Sequence, residues 1–163
     1  MARVMLLPPS AAKYSIIFIN DEAVGQGCPN RRDHVLLVQF MLGMMAAVNS
    51  RFEFGDVDFA PIGFPRNLKM DGVCGQHTIA SIKSFQRMGS LRKQGTPLAM
   101  IEDGVVTPIR GGQPWTPHGS NVLTIVRMNH EYYEMMGPGS LTDVAALVSM
   151  PQELRYKIWM HGN

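Results

Sequence analysis

The sequence predicts a mainly α-helical protein with three core helices, long loops, an N-terminal strand and a C-terminal helical extension. Three segments carry apolar residues at helical spacing, and one β-branched and aromatic run, Ser15 to Ile19, has the composition of a strand. A chain of 163 residues can bury a core without disulfides or metal. We expect an N-terminal strand and loop arm over 1–32, a helical domain over 33–136 and the extension over 137–163.

The first helix is predicted after Asp33, which stands at the position of an N-cap. The apolar residues that follow it fall on one helical face: Val35, Val38, Met41, Leu42 and Met45. Gly43 weakens this helix unless close packing requires a glycine there. The next twenty residues, 49–68, are interrupted by glycines and prolines and are expected to form a long loop.

Two more helices are predicted in the central region. Thr78 to Met88 places Ile79, Ile82 and Phe85 in phase, and a third helix is expected from about Ser120 to Met136. Gly137-Pro138-Gly139 ends that helix. The extension is predicted to hold a short helix from Ser140 to about Val148 and a last helix that begins at Pro151 and contains Leu154 and Ile158.

The most informative segment begins at Met70 and contains a tight turn. The Asp71 carboxylate can accept a backbone N–H two residues on, while Gly72 permits a positive φ. Val73 is expected to place an apolar side chain in the core. Gly75 lets the chain enter the following helix, and the Thr78 hydroxyl lies among the unpaired donors of its first turn.

The end of that helix completes the motif. Phe85 is expected to face the core, and Gln86 beside it can hydrogen-bond a neighbouring loop. All of these roles concern folding, and none of them requires chemistry.

The pattern Asp-Gly-x-x-Gly-x-x-Thr, followed by a helix that ends in Phe-Gln, resembles the peptidoglycan-binding-like domain of bacterial cell-wall hydrolases and phage proteins. Gln39 and Leu42 match that family's Gln-x-x-Leu in the first helix, and Asp103-Gly104-Val105-Val106 is similar to the turn before its third helix. The resemblance covers about residues 33–129. It implies a three-helix core and either wall binding or reuse of the fold in a particle. The segments 49–68, 89–102 and 108–119 are longer than in compact members.

No catalytic or metal site is predicted. The five histidines lack metal-ligand spacing, His77 is expected at the surface, and Asp71 and Asp103 are expected to be turn residues. Gly111-Gly112 is not followed by the residues of a phosphate loop. We therefore expect no enzyme activity and no cofactor.

The composition of the chain limits the classes of binding partner that we expect. A net charge of +2 without a basic run gives no case for nucleic acid, and no apolar run is long enough to cross a membrane. Cys28 and Cys74, 46 positions apart, are expected to be buried or half-buried thiols in a reducing compartment. The N-terminal residues do not have the pattern of a signal peptide, so synthesis in the cytoplasm is expected.

Two functions follow. In the first, the protein is a non-catalytic assembly subunit of a phage particle or contractile injection tail, bound to other protein subunits in a homo- or hetero-oligomer. In the second, it is a module that binds peptidoglycan and targets a partner to the cell wall. Low charge, at 17% of residues, and thirteen methionines suit a surface partly covered by partners, and the low charge equally suits a weakly charged soluble monomer. Five aromatic residues in the long loops are the expected contacts: Phe52, Phe54, Phe59, Phe64 and Trp115. Trp115 suits either a sugar or a protein pocket.

Overall fold

The computed structural model describes residues 3–6, 16–19, 21–49, 68–91, 100–108, 124–136 and 150–155. These residues are mostly helical, which confirms the mainly α prediction. Helix α1 spans Arg32–Asn49, α2 spans Gln76–Leu91 and α3 spans Thr124–Met136. Residues 152–155 form a short helical turn after Pro151 that contains Leu154 of the predicted last helix, while Ile158 lies outside the described residues.

Two helix starts differ from the prediction by one or two residues. Asp33 lies in the first turn of α1 and not at its N-cap, because the helix begins at Arg32. Helix α2 begins before Thr78, since the Gly75 carbonyl already accepts the Ile79 N–H at 3.1 Å. Positions 120–123, where the third helix was expected to begin, and the predicted helix over 140–148 lie outside the described residues.

Four strands among the described residues form two small antiparallel sheets. Strand β1 (Arg3–Leu6) pairs with β2 (Ile16–Ile19), and β3 (Val24–Gly25) pairs with β4 (Val105–Val106). The predicted N-terminal strand is confirmed as β2. The other three were not predicted. Two of them contain only two residues, which is too short for an alternating pattern to be visible in the sequence.

Helix α1 is the central element of the core. Every residue from Asp33 to Leu42 is buried, so this helix is covered on all sides. It contacts both α2 and α3, and the Phe40 ring packs on Tyr132 of α3 with centroids 6.1 Å apart. Burial raises the pKa of the Tyr132 hydroxyl to about 12, so it stays neutral.

Apolar side chains from all three helices form one cluster. Ile82 and Phe85 of α2 lie in it together with Val38 and Leu42 of α1, as predicted. Gly43 is also explained, since a Cβ there would lie 2.8 Å from the Cε of Met70. Within the described part of the chain, no helix is both long and apolar enough to cross a membrane.

We expect Phe85→Ala to lower the free energy of unfolding by about 3–5 kcal/mol, because the ring is 3% exposed and its removal leaves a cavity in the shared core. Urea denaturation measures this change. Gln76→Ala, at an exposed position in the first turn of α2, is the matched control and should stay within about 0.5 kcal/mol of wild type. A loss below about 1 kcal/mol for Phe85→Ala would contradict the packing described here.

Candidate functional site

A buried glutamine of α1 holds the first Asp-Gly-Val turn. The Gln39 amide nitrogen donates to Asp71 Oδ1, to the Val73 carbonyl and to Thr78 Oγ1, each at 3.1 Å. Its amide oxygen accepts the Gly72 N–H at 2.8 Å. Three acceptors thus surround the two amide hydrogens, and both the nitrogen and the oxygen of the amide are bound.

The turn is also closed by its own residues. Asp71 Oδ1 accepts the Val73 N–H at 2.9 Å, and Gly72 has a φ of 72°. The Thr78 hydroxyl donates to the Val73 carbonyl at 3.3 Å, which ties the start of α2 to the turn. Arg32 of α1 covers the outer side and donates to the Asp71 carbonyl.

Gln86 of α2 holds a second turn in the same way. Its amide nitrogen donates to Asp103 Oδ1 at 2.8 Å, to the Val105 carbonyl at 3.0 Å and to Thr124 Oγ1 at 3.1 Å. Its amide oxygen accepts the Gly104 N–H at 2.9 Å. The Val105 N–H returns to Asp103 Oδ1 at 2.8 Å, and Gly104 has a φ of 74°.

The two sites are therefore equivalent contact by contact. A Cβ on Gly72 would meet Arg32, and one on Gly104 would meet Ile79; each of these residues lies seven positions before the glutamine that holds the turn. The pattern is a helix glutamine, an Asp-Gly-Val turn and a threonine at or near the start of the next helix. It occurs once between α1 and α2 and once between α2 and α3.

The predicted motif residues are all brought together at the first turn and along α2. Asp71 accepts the backbone N–H two residues on and Gly72 has a positive φ, as predicted. Thr78 is buried but bonds Gln39 and Val73, while Gly75 is exposed with a φ outside the positive range. Phe85 lies in the core.

One prediction for this segment is wrong. Val73 was expected to enter the core, but its side chain is 62% exposed. The Val73 N–H and carbonyl are both bound inside the turn, and the resulting backbone orientation points the side chain away from the core.

The sequence reasoning missed the matching roles of Gln39 and Thr124. Their signal was present, because Asp-Gly-Val occurs twice, at 71–73 and 103–105, and each copy is preceded by a helix containing an apolar residue directly before a glutamine. Gln86 was correctly expected to bind a neighbouring loop.

Each turn contains one carboxylate, Asp71 or Asp103, and further charged residues flank the turns. The Val73 N–H and then Gln39 lower the pKa of the Asp71 carboxyl, so it is ionised at neutral pH. Arg87 forms a two-point ion pair with Glu102, and this contact lowers the pKa of the Glu102 carboxyl. Arg32 Nε donates to Glu153 at 3.0 Å and so connects the first turn to residues 150–155.

The remaining predicted positions lie elsewhere. His77 is exposed, as predicted. The five expected contact residues lie outside the described residues: Phe52, Phe54, Phe59, Phe64 and Trp115. Within the described ranges, no three His, Cys, Asp or Glu side chains are grouped so that they could hold a metal ion. Comparisons with known protein families, curated proteins and solved structures find no match for this chain.

The two sites act by fixing helices relative to one another. Both glutamine amides are buried, and their bonds join segments that are 32 to 39 positions apart at the first turn. Replacing hydrogen bonds to water by such internal bonds contributes modestly to the stability of the fold. Leaving any of these groups unpaired in the interior, however, lowers the stability considerably. The Val73 side chain is exposed at the first turn, on a backbone whose N–H and carbonyl are both bound.

Gly72→Val should lower the free energy of unfolding by about 1–3 kcal/mol, because a β-branched residue is strained at a φ of 72°. Asp71→Asn should cost much less, since the amide oxygen can still accept the Val73 N–H. Thermal and urea denaturation of both variants test the difference. Equal losses would show that the turn does not depend on the glycine.

Gln39→Glu should lower the free energy of unfolding by at least about 1–3 kcal/mol at pH 7, because a carboxylate cannot donate the three bonds and faces the Asp71 carboxylate. Burial and this like charge should raise the folded pKa of the introduced carboxyl above its unfolded value of about 4.3. The deficit against wild type should therefore shrink as the pH falls through that folded pKa.

Urea denaturation at pH 7 and pH 4 measures this pH dependence. Gln86→Glu should show the same pH dependence, because its carboxylate would lie beside Asp103. For Gln76→Glu, at an exposed position, the difference in unfolding free energy from wild type should not shrink on acidification. A deficit independent of pH at both buried positions would contradict the role assigned to the amide donors.

Proposed function

We propose that the protein is a non-catalytic structural subunit that binds other protein subunits, and that it belongs to a phage particle or a contractile injection tail. Its fold is proposed to be of the peptidoglycan-binding-like type. The carrying observation is that the polar groups of both turns are bound to the helices that they connect, while Val73 is presented outward on a fixed backbone.

The exposed aliphatic residues support a protein partner. Val73 is 62% exposed and Ile101, two residues before the second turn, is 58% exposed. Each stands on or next to an Asp-Gly-Val turn whose backbone is fixed by a buried glutamine. A backbone segment that is already fixed, such as that of Val73, loses little conformational entropy on binding, which favours association.

Composition supports the same proposal. Charged residues form 17% of the chain, and interface centres are depleted of charge and enriched in methionine and aromatic residues. The thirteen methionines and the aromatic residues of the long loops fit such a surface. A subunit that holds its neighbours needs a rigid frame with adaptable apolar contacts, and the two turns supply the frame.

Peptidoglycan binding is the second candidate. This candidate depends on the resemblance of the Asp-Gly-x-x-Gly-x-x-Thr pattern to the peptidoglycan-binding-like domain. Trp115, between two prolines, would then stack on a sugar ring. Because every motif polar group described above acts within the fold, this candidate needs a separate binding surface.

We expect the purified full-length protein to form a defined oligomer in light-scattering chromatography and not to sediment with purified peptidoglycan sacculi. The double variant Val73→Ser, Ile101→Ser should shift the oligomer toward monomer at an unchanged melting temperature, because both side chains are exposed in the single chain. Gln76→Ser, at another exposed position, is the matched control.

Other results of the same experiments would contradict the assembly proposal or relocate the contact. A monomer that binds sacculi saturably, and loses that binding on Trp115→Ala, would contradict the assembly proposal and support wall targeting. An oligomer that the double variant leaves intact would place the contact away from the two turns.

A further inference from the structure

Residues 150–155 pack into the helical core although they follow it in the chain, and we call them the C-terminal clasp. Met150 and Leu154 are 1% and 0% exposed and belong to the same hydrophobic cluster as the three helices. The Pro151 carbonyl accepts the N–H groups of Leu154 and Arg155 at 2.9 and 3.0 Å, which closes a helical turn. The clasp is therefore an ordered turn with two buried apolar side chains.

An arginine joins the clasp to the first turn. Arg32, at the start of α1, donates from Nε to the Glu153 carboxylate at 3.0 Å and from a terminal nitrogen to the Asp71 carbonyl. These two bonds reach residues that are 121 and 39 positions away in the chain. The guanidinium is planar, so a bond from one of its nitrogens to Glu153 limits where the other nitrogens can lie. The clasp therefore helps to position the donor that the Asp71 carbonyl accepts.

Arg32 is also the outer cover of the first turn. A Cβ on Gly72 would lie 2.7 Å from the Arg32 Cγ, so the arginine stem lies directly on this glycine. From the inner side, Gln39 accepts the Gly72 N–H at 2.8 Å. The turn is thus held between a buried amide and an arginine whose position depends in part on the clasp.

The second turn has a different cover. A Cβ on Gly104 would meet Ile79 and Lys83 of α2. Ile79 stands seven positions before Gln86, as Arg32 stands seven positions before Gln39, but an aliphatic side chain has no donor for a carboxylate. The two turns share their glutamine bonds and differ in this cover, so the second turn serves as an internal control for the first.

The ion pair and the buried side chains of the clasp have different roles. The Arg32 and Glu153 side chains are 57% and 39% exposed, and an ion pair at such exposure contributes little to stability by itself. Burial of Met150 and Leu154 removes apolar surface from water and holds the clasp on the core. The ion pair therefore couples the position of the clasp to the first turn more than it fastens the clasp.

We propose that the C-terminal clasp is a conformational device that controls how firmly the first turn is held. With the clasp docked, Arg32 is fixed between Glu153 and the Asp71 carbonyl, and the turn presents Val73 on a rigid backbone. With the clasp released, Arg32 loses one of its two anchors and the first turn opens more often, while the second turn is unaffected. The consequence for association rests on the function proposed above, in which Val73 contacts another subunit.

Hydrogen exchange of the folded full-length protein, followed by NMR, tests this coupling. The reporters are the N–H groups of Gly72 and Val73 in the first turn and those of Gly104 and Val105 in the second, which make equivalent bonds. Leu154→Ala should raise the exchange rates of the first pair roughly tenfold relative to the second pair, because it loosens the clasp and so promotes local opening of the first turn.

A milder variant avoids a loss of folding. Glu153→Gln leaves Met150 and Leu154 in place and weakens only the charged bond to Arg32, so it should raise exchange at the first turn roughly threefold. Gln152→Ala, at the exposed position beside it, is the matched control and should change neither turn.

Arg32→Ile gives the first turn the kind of cover that Ile79 gives the second. In that background Leu154→Ala should no longer distinguish the two turns, because the connection between clasp and turn is absent. Three outcomes would overturn the proposal: equal acceleration at both turns, acceleration at the first turn that persists with Arg32→Ile, or no change at the first turn.

These measurements report on one chain, so their result does not depend on whether the protein forms an oligomer. A protein that shows the coupling but stays monomeric would contradict the function proposed above and leave the clasp in place. Where an oligomer forms, Glu153→Gln should also weaken it, and Gln152→Ala should not.

Discussion

The arrangement of the three helices depends on one interaction used twice, a buried glutamine amide that binds an Asp-Gly-Val turn. Gln39 and Gln86 each donate to an aspartate, a backbone carbonyl and a threonine, and each accepts a glycine N–H. A backbone turn brought against a buried helix would otherwise leave its polar groups without water, at a cost that apolar packing would have to offset. Supplying donor and acceptor from one planar amide removes that cost, and it also fixes the turn in one register because few other orientations satisfy all four bonds.

The central helix α1 explains why these bonds matter. Its residues 33–42 are buried on every side, so apolar contact alone gives little preference for one rotation of the neighbouring helices over another. The directional bonds of Gln39 supply that preference for the start of α2, and those of Gln86 then supply it for α3. The glycines at the two turns allow this approach, since a Cβ at Gly72 or Gly104 would lie within 3 Å of a side chain on the preceding helix. Apolar packing therefore holds the helices together, and the hydrogen bonds of the two amides fix their orientation relative to one another.

Much of this could be predicted from the sequence, and what could not has a physical reason. Helical periodicity located α1 and α2, and the Asp71-Gly72 pair predicted its own turn, because both signals arise from residues close in the chain. The outward side chain of Val73 was not predicted, because hydrophobicity gave the wrong answer where backbone bonds fix the direction. Strands β3 and β4 were missed since their pairing joins residues about 80 positions apart and involves only two residues each. The equivalence of the two turns required a comparison of the two Asp-Gly-Val segments with one another.

The two turns differ in the number of residues that separate the aspartate from the threonine. The threonine follows the aspartate by seven positions in the first copy, from Asp71 to Thr78, and by twenty-one in the second, from Asp103 to Thr124. The glutamine–threonine distance is nevertheless 3.1 Å in both. The entropic cost of closing a loop grows only slowly with its length, about 0.6 kcal/mol for each doubling, so the extra residues weaken the second site little. The constraint acts on the two residues that meet and not on the chain between them.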